Sequence, residues 1–266
     1  MLSRRQFIAG TALALAATAS NIVGGDEATP DYTFYDDFNG PAGSEPDPAK
    51  WTYDLGAGGW GNQELETYTD SRTNSYIDSN GHLVIAATNA GGAYQSARLK
   101  TQGLFSQIGG HFEARIKLAP QRGVWPAFWL LGQDISKVGW AGCGEVDILE
   151  NFGYSSEISS SVYAQKSGSD AYEYHSTIAD DGNWHVYRAD VNAEGITFSR
   201  DGYEYGHCPN TFCPSAAWKF GPQEPNDGGM YFLLNIAVGG EATASPPPAT
   251  TAFPATMLVD YVRAWQ

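Results

Sequence analysis

The chain has 266 residues, with 30 Asp and Glu against 15 Lys and Arg and a net charge of −15. Such an acidic surface repels nucleic acids and sulfated or carboxylated polymers, and it suits a neutral partner. Three cysteines exclude a disulfide-built scaffold, and the length, with no visible linker, fits one large β domain better than two small ones.

The N-terminus, MLSRRQFIAGTALALAATAS, carries Arg4 and Arg5, an apolar run from Phe7 to Ala17 and a small-residue cleavage site at Ala17-Thr18-Ala19. This is the pattern of an export signal over residues 1–19, and SRRQF resembles the twin-arginine type, which implies secretion of an already folded chain. The apolar run is too short for a comfortable membrane span, so a retained anchor is the weaker alternative and no membrane contact is expected after removal. Cleavage would take the net charge from −15 to −17, because the signal holds two arginines and no acids. A short lead over residues 20–32 would follow, then a single domain over 33–266.

Beyond the signal no window of twelve or more residues shows helical apolar spacing, whereas two-residue alternation recurs. The runs HLVIAAT (from His82), HFEARIKLA (from His111), VWPAFWLLG (from Val124), EVDILEN (from Glu145), NWHVYRADV (from Asn183), MYFLLNIAVGG (from Met230) and MLVDYVRAW (from Met257) all read as strands. In HFEARIKLA, Phe112, Ala114, Ile116 and Leu118 share one face and His111, Glu113, Arg115 and Lys117 the other, as in a sheet with one wet side. GITFSRDG and YEYGH read as a hairpin across Gly202. With 31 glycines and 14 prolines between the runs, the pattern predicts an all-β sandwich or barrel. The proline-rich ASPPPATTAFPAT (Ala244 to Thr256) reads as a loop between the last two strands.

The stretch GCGEVDILENFG, Gly142 to Gly153, sets Glu145, Asp147 and Glu150 in one strand, with the last acid one residue out of step. In a regular strand only i, i+2 and i+4 share a face, so either Glu150 points away or the strand is bulged. With a bulge all three share a face. Glutamates about 13 Å apart along the strand can then lean their carboxylates to roughly 5–6 Å, the separation of a retaining glycosidase pair. Like-charge crowding would raise the pKa of the acid, with Asp147 hydrogen-bonding its neighbours. Ordinary edge-strand charges, or a calcium site built from the same acids, are the competing readings.

Trp125, Ala127 and Trp129 alternate onto one face of the preceding strand, and Trp140 precedes the acids by five residues. Indoles suit the C–H faces of sugar rings, although Trp129 is first assigned to the core. Cys143 reads as buried packing. Cys208 and Cys213, in HCPNTFCP, read as a loop disulfide or idle thiols; with His207 a zinc site is conceivable but lacks an evident fourth ligand.

Taken together, GWGNQELETYTD, ARLKTQGLFS, GGHFEARIKL, GVWPAFWLLG, VGWAGCGEVDILENFG, MYFLLNIAVGG and MLVDYVRAW resemble, in order, glycoside hydrolase family 16 in its bulged form, and within it the laminarinases, endo-1,3-β-glucanases. The resemblance runs from about Phe34 to Trp265. It implies a jelly roll of two antiparallel sheets with a concave cleft, and hydrolysis of internal bonds of a neutral β-glucan by double displacement. It casts Glu145 as nucleophile, Asp147 as assisting acid and Glu150 as general acid/base. Asn62, Glu64, Arg98, Trp125 and Trp140 would line the sugar subsites. It also implies a structural calcium on the convex side at Asp37, Gly81 and Asp260, and no organic cofactor. Asp260 fits independently, because it should share a strand face with Leu258 and Val262 and would need a partner there.

Departures from the family pattern are SSSVYA, with Ser159 and Tyr163 where two histidines are usual, the proline-rich loop after AVGG in place of a tryptophan, and His111 in place of an arginine. A relative acting on another glycan, a transglycosylase and a non-catalytic glucan-binding protein are the alternatives. The intact acids disfavour the last; agarases and carrageenases also use the bulged motif, but the charge disfavours a sulfated substrate. A monomer is expected.

Overall fold

Alternation with a period of two needs a sheet partner on either side, and from Phe34 onward the chain supplies them in succession. The strands, in chain order, are β1 (Phe34–Asp36), β2 (Thr52–Asp54), β3 (Thr67–Tyr68), β4 (Ser75–Ile77), β5 (Leu83–Ala90), β6 (Ala93–Ser96), β7 (Arg98–Lys100), β8 (Gly110–Leu118) and β9 (Val124–Gly132). A single helical turn, α1 (Ile135–Val138), leads to β10 (Glu145–Glu150), β11 (Glu157–Ser167), β12 (Asp170–Ala179), β13 (Trp184–Val191), β14 (Gly195–Arg200), β15 (Tyr203–Pro209), β16 (Met230–Val238) and β17 (Ala255–Trp265). The structure, a computed structural model, describes residues 30–119, 121–153, 156–168, 170–221 and 228–266. The export signal expected over residues 1–19 lies outside the described residues.

Two sheets form, the expected all-β sandwich of jelly-roll type. One has ten strands, ordered β15-β14-β13-β8-β17-β5-β6-β3 with β1 on β17 and β4 on β5; the other has seven, ordered β12-β11-β10-β9-β16-β7-β2. Pairing is antiparallel except for the two-residue β3–β6 contact, which is parallel. Asp31 to Gln266 form one unit. No helix among the described residues is long and apolar enough to cross a membrane.

The core lies between the sheets. Phe112, Ala114, Ile116 and Leu118 of β8 are buried there as their alternation predicts, facing Phe128 and Leu130 of β9, Val146 of β10 and Phe232, Leu234 and Ile236 of β16. β16 is buried along its whole length, because its other face is covered too. Phe232 is the hub: its ring lies 5.5 Å from Phe34, 5.8 Å from Phe105, 5.6 Å from Phe112 and 5.7 Å from Phe128. Aromatic pairs at such spacings add to the area they bury. The three cysteines are buried thiols, so the possible Cys208–Cys213 disulfide does not form, and Cys143 packs with Leu131, Tyr231 and Leu233 as expected. His111 pairs with Asp190 at 2.5 Å and stacks on Trp265.

β17 corrects one expectation. Its register against β8 shifts between Val259 and Tyr261, so the buried set is Met257, Val259, Val262 and Ala264, while Leu258 and Asp260 stay on the outer face. The bulge separates Asp260 from Val262, and the carboxylate is not on an apolar face.

Replacing Phe232 by Ala should lower the unfolding free energy by about 3–5 kcal/mol, the usual cost of deleting a fully buried aromatic ring. Denaturant melts of the two proteins measure it; a loss below about 1 kcal/mol would remove Phe232 from its central role.

Candidate active site

β10 lies near the middle of the seven-stranded sheet, between β9 and β11. Glu145 pairs with Leu131 and Tyr163, and Asp147 with Trp129 and Ser161; beyond Asp147 the register slips, so that Leu149 meets Phe128 and Glu150 meets Ala127 and Ser159. This is a β-bulge. Val146, Ile148 and Leu149 enter the core, and Glu145, Asp147 and Glu150 are left together on the opposite face. Glycine is required at both ends of the segment. Gly144 has φ 76°, and a Cβ there would lie 2.7 Å from the Phe220 ring; Gly153 has φ 72°, and a Cβ would collide with the Gln121 carbonyl.

The three acids line a cleft of about 440 Å³ with Trp60, Trp125, Trp129, Trp140 and Tyr163. Two indoles reach the acids directly: Trp140 Nε1 donates to Glu145 Oε2 at 2.8 Å and Trp125 Nε1 to Glu150 Oε1 at 3.0 Å. Ser161 Oγ also donates to Glu150, at 3.4 Å, and in turn meets His175 Nδ1 at 3.0 Å. Trp129, first assigned to the core, instead stands in the cleft wall, its Nε1 donating to Asn235 Oδ1 at 2.7 Å. Alternation groups residues by face but does not say which face is the core, and β9 is covered on both.

Burial dominates the electrostatics. It pushes Glu145 up to about 7, against the pull of the Trp140 N–H, the Arg98 charge and a hydrogen bond from Asp147. Burial and then the Glu145 charge push Glu150 up to about 8, against the Trp125 and Ser161 donors. Asp147 is held well above the carboxylate range by burial, then by the charges of Glu150 and Glu145. Asp147 is therefore the proton donor to Glu145. Such a set offers one ionised and one protonated carboxyl near neutrality, which is what acid-assisted displacement needs.

The facing wall is built from the loop before β3 and from β7 and β16. Non-glycine residues Trp60 (φ 48°) and Gln63 (φ 57°) adopt left-handed backbone there, a strain often found at functional loops. Asn62 Nδ2 donates to Glu64 Oε1 at 3.0 Å, and Tyr68 OH to Glu64 Oε2 at 3.1 Å. Arg98 is held by Asp54 at 3.0 Å between the rings of Trp60 and Trp129, 5.0 and 4.7 Å from their centroids. The structure thus brings Asn62, Glu64, Arg98, Trp125 and Trp140 to one cleft with the acids. Sequence reasoning missed Trp60, Tyr68, Asn235, Ser161 and His175. Of the expected SSSVYA residues, Tyr163 lines the cleft, but it is Ser161, not Ser159, whose hydroxyl reaches Glu150.

Two of the expected metal ligands are held by arginines. Asp260 is held by Arg115 at 2.7 Å and Asp37 by Arg263 at 3.1 Å; Gly81 precedes His82, whose Nε2 is 3.9 Å from Asp260. As placed, both carboxylates pair with arginines, and a cation here would have to displace them. Asp180, Asp181 and His185 put ligand atoms within 4.8 Å of one another. Yet both His185 nitrogens are taken, Nδ1 by Asp201 at 2.6 Å and Nε2 by Asp181 at 2.8 Å.

A trough of indoles over proton-sharing carboxyls, carried on a β-sandwich, defines a glycoside hydrolase. The profile of the family "Glycosyl hydrolases family 16" matches residues 62–250, and the chain belongs to that family. It is 35% identical over 237 residues to a beta-glucanase from Rhodothermus marinus, a match covering 83% of this chain and 80% of that one. Among solved structures, a laminarinase from Flavobacterium sp. UMI-01 superposes with a TM-score of 0.77 at 34% identity, covering 88% of this chain and 100% of that one. An endo-beta-1,3-glucanase from Pyrococcus furiosus does so with 0.75 at 36%, covering 88% and 93%.

If one carboxyl must be ionised and the other protonated, activity falls below the pKa of Glu145 and above that of Glu150. Trp140→Phe removes a donor that favours ionised Glu145, so the acid limb of kcat/KM against pH should move up by about one unit. Trp125→Phe should move the basic limb up instead. Limbs that stay in place in both variants would disconnect these hydrogen bonds from the reaction.

Proposed function

We propose that the protein is an exported, retaining endo-1,3-β-glucanase that cuts internal bonds of laminarin-type glucans. The observation that carries the reading is the bulge at Asp147–Glu150, which sets the three acids on one face of an aromatic cleft. Glu145, the more readily ionised of the two glutamates, attacks the anomeric carbon. Glu150 gives its proton to the departing glycosidic oxygen, and a glycosyl ester forms on Glu145. Water then attacks the same carbon and passes its proton to Glu150, while Glu145 leaves as a carboxylate that the Asp147 proton stabilises.

The substrate class follows from the lining. Arg98 is the only cation among the lining residues, and Asp54 holds it, so the cleft has nothing to offer a sulfate or carboxylate and four acids to repel one. Four indoles suit neutral rings. The 1,3 linkage is supported by the relatives whose names carry laminarinase or endo-beta-1,3-glucanase activity. Export by the twin-arginine route and action as a monomer belong to the same proposal.

Laminarin should release reducing ends on incubation with the protein, with Glu145→Gln as the inactive control, and proton NMR should show a β anomer first. Turnover of agarose or carrageenan without laminarin would overturn the substrate, and an initial α anomer the two-step route.

A structural calcium enters this proposal only away from the cleft. Its support is that the Gly81–His82 turn leads into β5, the strand beside the β17 that carries Asp260, and the ion would have to displace Arg115 from Asp260. Added calcium should then raise the melting temperature after treatment with a chelator. Identical melting with and without it would remove calcium from the account.

A further inference from the structure

Beneath the cleft wall lies a titratable group that the reaction does not use. Glu66 is fully buried and does not line the cleft, whereas its neighbours Glu64 and Tyr68 alternate with it on the inward side of the same segment. Its Oε2 accepts the Val238 N–H at 2.6 Å, at the end of β16. Its Oε1 meets no donor. Apart from its own backbone N–H, the other hydrogen-bond neighbour of Glu66 is the Glu64 carboxylate, itself an acceptor. Two buried carboxyls in contact cannot both be ionised, and one proton must be shared between them.

The surrounding bonds decide where the proton sits. Glu64 already receives Asn62 Nδ2 and Tyr68 OH, one on each of its oxygens. Glu66 receives backbone N–H groups alone, from Val238 and from its own residue, and sits deeper. We infer that Glu66 is a carboxylic acid in the working protein, and that its O–H, donated to Glu64, positions the Glu64 carboxylate as a fixed hydrogen-bond acceptor for sugar hydroxyls on the wall facing the catalytic acids. This rests on the glucanase reading and adds to it a residue outside the cleft that governs substrate binding.

The donors run in one direction along this wall. Trp129 N–H gives to Asn235, the Asn235 amide gives to Tyr68 OH at 3.0 Å, and Tyr68 gives to Glu64. The Glu66 proton closes the sequence from the other end, so every neighbour of Glu64 points a hydrogen at it. A carboxylate so held can receive a sugar O–H on its remaining lone pairs without rotating. Loss of the Glu66 proton would set two anions side by side. The titratable groups facing Glu66 are Glu64 and Tyr68 on its own segment, with the Arg98 charge of β7 acting on Tyr68, while β16 offers the Val238 N–H and, to Tyr68, the Asn235 amide, neither of which titrates. Burial, then Glu64, push Glu66 up to about 8, within the range of an assay.

The test compares Glu66→Gln with Glu66→Met. The amide of glutamine can accept the Val238 N–H and still donate to Glu64; methionine fills the space and does neither. On laminarin, E66Q should keep KM within about threefold of the wild type, and E66M should raise it about tenfold or more with a smaller change in kcat, the loss of a hydrogen bond to a charged group. Between pH 6 and pH 9 the wild-type KM should rise as Glu66 ionises, and that of E66Q should rise less, since the titration of Glu150 is common to both. The second comparison stands even where E66M does not fold. Equal KM values for E66Q and E66M, or the same rise of KM with pH in the wild type and E66Q, would overturn the proposal. A wild type that does not cleave laminarin would instead defeat the substrate reading, and the comparison would then be made on the polymer it does cleave.

Discussion

The extra residue in β10 is the constraint on which the rest depends. A strand buried on both faces has no spare position, so slipping the register after Asp147 sends two consecutive apolar side chains, Ile148 and Leu149, into the core and returns Glu150 to the side of Glu145. The core contacts hold the bulge, and the bulge holds the acids. Gly144 and Gly153 bracket it because Phe220 and the Gln121 carbonyl leave no room for a Cβ. The spacing of the carboxyls is thus a property of the hydrophobic core, and the loops around the cleft can vary without altering it.

Burial then sets the chemistry. Taking carboxyls out of water raises all three, and the indole N–H groups, Ser161 and the distant Arg98 charge divide them into a more and a less acidic glutamate. The cost of holding so many acids out of water is met within the site, by donors on strands already fixed by the sheet. β16 serves both sides: Phe232 and Leu234 knit the sandwich, and Asn235, between them and Ile236, carries the hydrogen bonds of the facing wall.

Much of this was legible in the sequence where one strand's own pattern decided the matter. The alternation of HFEARIKLA gave the buried face of β8 correctly, and the misfit of Glu150 announced the bulge in β10. The same device in β17 went unseen, because Leu258, Asp260 and Val262 read as one regular face, and Asp260 parts from Val262 at the bulge. Trp129 was misread because alternation is silent about which face is the core. Ser161, His175, Asn235 and Tyr68 lie on strands far apart in sequence, and only sheet order places them beside the acids. The arginines that hold Asp37 and Asp260 are likewise tertiary partners that the motif could not show.

The indoles of Trp125 and Trp140 do two things at once: their faces line the trough, and their edges hold the acids. A sugar settling on those faces removes water from carboxyls whose proton affinity is already set by its scarcity. Occupancy and protonation are therefore linked equilibria, and binding near neutral pH draws protons from the buffer into the site.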